Sequence, residues 1–202
     1  MTGSPLEGER GELGRKLWHL GGGLLFPVLS FFLPKVPLLI AIGVTTLAFI
    51  AWETSRFASP KVNSLMVSLL SPFLKREERT SALTGSTWLL IATLIAFLAF
   101  AREVAIASLL FLAVGDFASW LGGKRLGRIR VLRKSVEGSL SFLVSCLLVT
   151  GLLVYLREGF SGPLLCLGVV VATLTELLPL PVDDNFSIPI ASGIVMTLVQ
   201  LI

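Results

Sequence analysis

Seven long apolar runs, separated by short polar connections, constrain the fold of this chain more than any other feature. A helix of roughly 20 apolar residues spans the hydrocarbon core of a bilayer, and slightly shorter runs do so with interfacial anchors. The predicted spans are 17–33, 36–54, 83–101, 103–121, 139–156, 163–178 and 186–202. Because 54% of the residues are hydrophobic and only 15% are charged, the composition excludes an ordinary water-soluble domain.

These runs predict an all-α fold, a polytopic integral membrane bundle of about seven transmembrane helices. The polar segments are too short to fold separately, so residues 1–202 are expected to form a single membrane-embedded domain. Its polar parts are a short N-terminal segment at 1–16, a connection at 55–82 and a loop at 122–138.

The basic residues predict the orientation of the bundle. If the N-terminus is cytoplasmic, fourteen of the seventeen Lys and Arg residues lie on that side, and only Lys35, Arg102 and Arg157 lie on the other. Positively charged loops are retained in the cytoplasm, so the N-terminus is expected inside and the C-terminus outside. This placement explains the net charge of +4 without a nucleic-acid partner.

The connection at 55–82 carries apolar residues at helical spacing of three and four. They are Val62, Leu65, Met66, Leu69, Leu70, Phe73 and Leu74. The pattern predicts an amphipathic helix, which either lies on the cytoplasmic interface or packs against the bundle.

Acidic residues at the ends of spans predict a polar site at the cytoplasmic surface. In the predicted topology this side receives Glu53, Asp116, Glu176, Asp183 and Asp184, together with His19. Charged groups in spans are costly, and neighbouring carboxylates repel unless a cation or a proton intervenes. Hard oxygen ligands beside cationic residues favour Mg²⁺ held together with phosphate. The alternative is that some acids merely extend to the interface from helix ends.

The loop at 122–138 is expected to bind a polyanion. Six of the seventeen basic residues lie in it, among glycines that allow close backbone approach. Ser135 is predicted to cap the following helix and direct free N–H groups at an anion, with Lys134 adding a point charge. Basic residues beside a helix end also act as topology signals, which suffices for Arg128 and Arg130. Gly21, Gly22 and Gly23 are interpreted as a helix-packing face.

Four segments resemble the polyprenol kinase family, which includes dolichol, phytol and farnesol kinases and CTP-dependent diacylglycerol kinases. The central pattern is G-D-x-x-S-x-x-x-G-x-x-x-G followed by R-K-S-x-E-G, and R-K-L-W-H precedes it near the N-terminus. The stretches K-R-E-E-R-T-S-A-L-T-G and E-L-L-P-L-P-V-D-D-N-F-S-I-P complete the likeness. Ser119 stands where the family usually has Ala.

This resemblance implies a membrane kinase that transfers the terminal phosphate of a nucleoside triphosphate, usually CTP, to a lipid alcohol. It implies Mg²⁺ at Asp116, Asp183 and Asp184, and a proton acceptor at Asp184 or Glu176. The nucleotide residues implied are Ser119, Gly123, Lys124, Gly127, Arg133, Lys134, Ser135, Glu137, Gly138 and Asn185. Further candidates are Lys16, His19 and Glu53.

Other functions share some of these features. A CTP-dependent diacylglycerol kinase differs in its acceptor, and a membrane cytidylyltransferase acting on a lipid phosphate releases pyrophosphate rather than CDP. An ion-coupled transporter also places acids in spans, but such sites lie near the midplane between repeats. Here the acids are expected at one surface, and the sequence shows no repeat of one half in the other.

Overall fold

The structure, a computed structural model, describes residues 5–70, 73–75, 77–80, 82–132, 134–157 and 159–202, with only the backbone at 5–10. Within these residues it contains eight α-helices, a single-turn 3-10 helix and one small antiparallel hairpin. In chain order the elements are α1 (Pro5–Ser30), α2 (Lys35–Ala58), α3 (Pro60–Leu70), the 3-10 turn (Glu77–Arg79), α4 (Gly85–Ala99), α5 (Arg102–Leu126), β1 (Arg130–Val131), β2 (Lys134–Ser135), α6 (Val136–Leu156), α7 (Gly162–Leu177) and α8 (Asp184–Gln200). The predicted all-α class is confirmed.

Helix α5 is the centre of the bundle. Its residues 104–113 are all buried, and it packs against α1, α4, α6, α7 and α8. Small residues permit this close packing. A Cβ atom on Gly115 would lie 2.6 Å from the Phe142 ring, and one on Gly23 would lie 2.8 Å from the Ala113 Cβ.

Within the described part of the chain, three helices, α2, α5 and α6, are long and apolar enough to cross a membrane. Helices α4 and α7 are apolar but contain only 15 and 16 residues. The count of seven spans and the cytoplasmic N-terminus therefore stay predictions. Helix α7 ends at Leu177, as the two following prolines predicted.

Two boundaries differ from the sequence analysis. Helix α1 begins at Pro5, so the backbone of residues 5–16 continues the first predicted span as one helix. In the connection at 55–82, α3 ends at Leu70; Met66 is buried, whereas Leu65 and Leu69 are exposed. One side of α3 thus packs on the bundle, and the other remains uncovered.

Glu53, a site candidate from the sequence, belongs to the scaffold that positions α4. It is buried and accepts a 2.6 Å hydrogen bond from Arg56 Nε, a 2.9 Å bond from the Thr84 backbone N–H and a 3.0 Å bond from the Thr87 hydroxyl. Arg56 in turn donates to the Glu78 carbonyl oxygen. Because breaking a buried ion pair leaves an uncompensated charge, these contacts fix the start of α4 against α2.

Candidate active site

A polar cleft of about 640 Å³ opens where α1, α5 and the β-hairpin meet. Its lining is Glu12, Arg15, Lys16, Asp116, Ser119, Trp120, Gly123, Lys124, Gly127, Arg130, Lys134 and Ser135. Five of these residues are cationic and two are anionic. The cleft therefore suits a polyanionic ligand.

Lys16 and Asp116 join the two long helices at the floor of this cleft. The Lys16 ammonium donates a 2.7 Å hydrogen bond to Asp116 Oδ2, and the two side chains retain 17% and 23% exposure. Because both remain accessible from the cleft, the charge of each is available to a ligand. Lys16, only a further candidate by sequence, thus lines the cleft beside Asp116.

Lys134 joins β2 to the two C-terminal helices. Its ammonium donates to Glu176 Oε1 at 2.9 Å and to Asp184 Oδ2 at 3.0 Å. Burial opposes the charge of Lys134, but the two carboxylates outweigh it and raise the pKa of Lys134 to about 12. Lys134 therefore stays protonated at neutral pH.

Glu176 is fully buried and its carboxylate accepts three hydrogen bonds. Besides Lys134, it accepts from the Ser119 hydroxyl at 2.8 Å and from the Ser139 hydroxyl at 3.1 Å. Ser119 therefore does more than fill the space of an alanine, because its hydroxyl fixes this carboxylate. Glu176 serves here to position Lys134, and its oxygens have little capacity left for a substrate.

The neighbouring residues Asp183 and Asp184 have opposite environments. Asp183 caps α8 by accepting from the Asn185 backbone N–H at 3.0 Å, and it accepts a 2.7 Å bond from Lys75. Burial raises the pKa of Asp183, but Lys75 and Asn185 outweigh burial and hold that pKa below its ordinary value. For Asp184, burial raises the pKa and, with smaller contributions from the charges of Asp116 and Asp183, outweighs the lowering by Lys134.

The three carboxylates implied as metal ligands are each paired with a different lysine. Among the described residues, no group of three or more His, Cys, Asp or Glu side chains lies close enough to form a protein-only metal site. Mg²⁺ in phosphoryl-transfer sites is held by one or two carboxylates together with substrate phosphates and water. The mutual repulsion of Asp116, Asp183 and Asp184 fits a cation that arrives with its phosphate.

A hairpin that the sequence analysis did not predict shapes one wall of the cleft. β1 pairs antiparallel with β2, which places Arg130 opposite Ser135, and both line the cleft. Ser135 caps α6 as predicted, because its hydroxyl oxygen accepts from the Gly138 N–H at 3.1 Å. Glu137 lies outside the lining: its carboxylate accepts from the Ile129 N–H and ties the hairpin to α6.

Several glycines around the cleft are required by packing. A Cβ atom on Gly122 would lie 2.0 Å from the Ser141 hydroxyl oxygen, and one on Gly138 would lie 3.0 Å from the Ser119 carbonyl oxygen. Gly123 and Gly127 do line the cleft, where a Cβ atom would approach Ser135 Oγ to 3.0 and 3.1 Å. Sequence reasoning expected all loop glycines to serve a phosphate, and close contact of α5 with α6 explains Gly122 and Gly138 instead.

Other candidates lie in several places. Lys124 lines the cleft near Glu12, with 3.9 Å between Nζ and Oε2. Asn185 lies behind the cleft and donates to Asp183 at 2.7 Å. Arg133 falls outside the described residues.

His19 lines two adjoining apolar cavities of about 450 and 130 Å³ instead of the polar cleft. We call these two cavities together the apolar chamber. Both cavities are lined by Trp18, His19, Phe49 and Ser86. The larger cavity is also lined by Leu17, Gly21, Gly22, Leu25, Phe26, Thr45, Leu89 and Leu90. The smaller cavity is also lined by Trp52, Met66, Leu70, Phe73, Leu74, Glu78, Thr84 and Gly85. The sequence analysis grouped His19 with the acids, and in the structure one side of His19 borders the apolar chamber.

Sequence reasoning missed four residues of the cleft: Glu12, Arg15, Trp120 and Arg130, the last of which it explained as a topology signal. Arg15 was interpreted only as a topology signal and as part of a sequence motif. The spacing of three residues between Glu12 and Arg15 was the signal that both lie together on α1. The indole N–H of Trp120 is buried and has no hydrogen-bond partner among the described residues. A donor left unpaired at a cleft wall is available to a ligand.

Comparison with known proteins finds relatives of similar length as well as longer kinases. The chain is 26% identical to an uncharacterized protein of Rickettsia prowazekii, over 89% of this chain and 90% of that protein. It is 27% identical to a probable chloroplastic phytol kinase of Triticum aestivum, over 91% of this chain and 66% of the relative. It is 30% identical to CTP-dependent diacylglycerol kinase 1 of Eremothecium gossypii, over 71% of this chain and 53% of the relative.

The chain therefore spans between about half and two thirds of the kinases that it resembles. No family model and no solved structure matches it. The relatives with a named activity are kinases of phytol or diacylglycerol, so the chain is similar to lipid kinases.

Proposed function

We propose that this chain is a membrane kinase that transfers the terminal phosphate of CTP to the hydroxyl of a polyprenol- or phytol-type alcohol. The observation that carries the proposal is the polar, cationic cleft lying one turn of α1 from the apolar chamber, since Lys16 lines the first and His19 lines the second. A kinase that transfers phosphate from a nucleotide to a lipid needs a polar site and an apolar site so close together that both substrates can reach one phosphorus atom.

The nucleotide is assigned to the polar cleft. A volume of about 640 Å³ is typical of small-molecule sites. Arg15, Lys16, Arg130 and Lys134 supply positive charge to the triphosphate, and Gly123 with Gly127 lets the backbone approach it. The unpaired indole N–H of Trp120 is assigned to an acceptor atom of the base or sugar.

Magnesium is assigned to Asp116 with help from Asp184 and, through water, Asp183. These residues fit the ion because their carboxylates repel one another and flank a cationic site. Bound Mg²⁺ supplies neutralisation of the charge on the triphosphate. Lys16 and Lys134 hold Asp116 and Asp184 in place before the nucleotide arrives.

In the reaction, the acceptor oxygen forms a bond to the γ-phosphorus while the bridging oxygen of CDP leaves. The alcohol proton goes to a base, for which the sequence offered Asp184 or Glu176. Glu176 is fully buried and already accepts three hydrogen bonds, whereas Asp184 is 36% exposed, so Asp184 is the better candidate. Neither carboxylate lines the apolar chamber, so the proton reaches Asp184 only through an intermediate group.

The experiment uses the purified chain, Mg²⁺ and CTP labelled in its γ-phosphate, with phytol, a polyprenol or diacylglycerol as acceptor. Labelled lipid phosphate and CDP are expected with phytol or the polyprenol. Pyrophosphate release from a lipid phosphate instead would identify a cytidylyltransferase, and phosphorylation of diacylglycerol alone would identify a diacylglycerol kinase. Asp116→Asn should abolish turnover, whereas Glu103→Gln at the far end of α5 is the matched control.

A further inference from the structure

Among the described residues that line the apolar chamber, one buried side-chain polar atom has no hydrogen-bond partner. The other buried side-chain groups of this lining are satisfied: the Trp18 indole N–H donates to Ser86 Oγ at 3.2 Å, the Thr45 hydroxyl donates to the Ala41 carbonyl oxygen, and Glu78 accepts from two backbone N–H groups. Among the described lining residues, only His19 keeps a buried side-chain nitrogen, Nδ1, that lacks a hydrogen bond. A buried, unpaired polar atom is costly unless a ligand satisfies it.

His19 also lies at the boundary between the chamber and the charged site. A Cβ atom on Gly85 would lie 2.8 Å from His19 Cε1 and 2.8 Å from Asn185 Nδ2, so the imidazole and Asn185 meet across this glycine. Asn185 bonds to Asp183, which bonds to Lys75. Lys16 precedes His19 by three residues, which places the two side chains about 4.5 Å apart along α1.

We propose that the apolar chamber is the acceptor site and that His19 Nδ1 accepts a hydrogen bond from the hydroxyl of a single-chain lipid alcohol. The inference rests on the proposed kinase function and assigns the second substrate of that reaction. The bond turns the lone pairs of the hydroxyl oxygen away from the ring, toward the charged site one turn away. As the hydroxyl oxygen bonds to phosphorus, the hydroxyl proton passes to His19 Nδ1.

The hydrocarbon chain is assigned to the larger cavity, between α1, α2 and α4. Gly21 and Gly22 line it, and a Cβ atom on Gly21 would meet nothing within 4 Å. The missing side chains therefore leave space beside α1, and only Gly23 of the three glycines packs tightly on α5. Leu17 and Leu25 at the same surface are each 50% exposed, so a chain can enter sideways from the bilayer.

The small number of unpaired polar atoms in the chamber lining also favours a single-chain alcohol over diacylglycerol. A diacylglycerol brings two ester carbonyls with its hydroxyl, and each buried carbonyl needs a donor. Among the described residues, the lining offers only the His19 nitrogen as an unpaired buried side-chain atom. Diacylglycerol would leave its esters unsatisfied in this chamber.

The test measures binding without nucleotide, through the fluorescence of Trp18 and Trp52, which line the chamber. The probes are a dibrominated C18 alcohol, its methyl ether and a dibrominated diacylglycerol, titrated as mole fraction into nanodiscs that hold the full chain. The alcohol should quench saturably and bind roughly 2- to 10-fold more tightly than the ether, because the ether cannot donate to Nδ1. Equal binding of alcohol and ether, or tighter binding of the diacylglycerol, would overturn the proposal.

Variants separate the two parts of the site. His19→Leu should remove the preference for alcohol over ether, and His19→Asn should restore part of it, since the amide can still accept. Gly21→Leu should fill the cavity and abolish saturable quenching by every probe. Gly151→Leu, at an exposed glycine of α6 that also meets nothing within 4 Å, should bind like the wild type; quenching unchanged by Gly21→Leu would contradict the assignment of the chain.

The readout also separates this inference from the proposed function. Alcohol binding that depends on His19, without formation of lipid phosphate from CTP, would refute the kinase and leave the alcohol site standing. Formation of lipid phosphate at wild-type rates by both His19→Leu and Gly21→Leu would refute the site and leave the kinase standing.

Discussion

Lys134 and Glu176 lie 42 residues apart in the chain, and their 2.9 Å hydrogen bond ties the wall of the polar cleft to the C-terminal half of the bundle. Glu176 is fully buried, so removal of this lysine would leave its carboxylate without a cationic partner. Lys134→Ala is expected to lower kcat/KM for CTP at least about 100-fold and to destabilise the fold by about 3 to 5 kcal/mol. Steady-state kinetics and thermal unfolding check the two effects.

A second change separates catalysis from stability at this pair. Lys134→Ala combined with Glu176→Gln should regain most of the lost stability, because the fully buried carboxylate is gone and the other partner of Lys134, Asp184, is 36% exposed, yet it should stay as inactive as the single variant. Arg125→Ala removes an exposed cation that does not line the cleft and serves as the control. Full activity of the double variant would show that Lys134 has no role at the nucleotide.

Asp183 and Asp184 have opposite environments, so the same substitution at each is expected to have opposite effects on stability. In EDTA at pH 7, Asp183→Asn should lower the free energy of unfolding by about 1 kcal/mol, because Lys75 loses its partner while the Asn still caps α8. Asp184→Asn should be neutral or stabilising, because it relieves repulsion from Asp116 and Asp183. Thermal unfolding measures both.

The sign of the pH dependence follows from Asp183. Its pKa in the folded state lies below the ordinary value of 3.8, so its contribution is present above that value and is lost as the pH falls through the folded pKa. Wild-type stability should therefore fall in acid more steeply than that of Asp183→Asn. Parallel profiles would mean that the Lys75 pair does not contribute.

Leu70 and Leu69 are adjacent on α3, but only Leu70 lines the apolar chamber. Leu70→Ser should raise KM for a long-chain alcohol by roughly 3- to 10-fold, the cost of lost apolar contact, and leave KM for CTP unchanged. Leu69, 66% exposed, is the matched control. Equal effects of the two serine variants would place the acceptor elsewhere.

Topology is testable with single cysteines in a chain from which Cys146 and Cys166 have been removed. A cysteine at Arg128 should react with a membrane-impermeant reagent from the cytoplasmic side, and one at Arg157 from the opposite side. The expectation follows from the uneven distribution of basic residues. Reversed labelling would move the polar cleft to the other face of the membrane.

The sequence predicted the helices well because apolar runs and prolines act locally. It also predicted the Ser135 cap, since Ser followed by a helix start is a local signal, and it drew Asp116, Lys134 and Asp184 into one site through their common side of the bilayer. Which carboxylate pairs with which lysine was not predictable, because Lys16 and Asp116 are 100 residues apart. That choice depends on how α1 packs against α5.

Other features were missed because their sequence pattern is too short or because they depend on contacts with another helix. The hairpin of β1 and β2 is only two residues deep, too short for a periodic pattern. The role of Gly122 depends on the Ser141 side chain of another helix. The apolar chamber beside His19 was not foreseen either, because helical register alone does not show which neighbours surround a side chain.

One turn of α1 separates Lys16 in the polar cleft from His19 in the apolar chamber, and this spacing sets the kinetic order of the proposed reaction. CTP and the alcohol would enter through different openings, so neither has to bind first and no phosphorylated enzyme is needed between them. Double-reciprocal plots should intersect instead of running parallel. Lipid phosphate should compete with the alcohol and CDP should compete with CTP, because one product returns to the bilayer and the other to water.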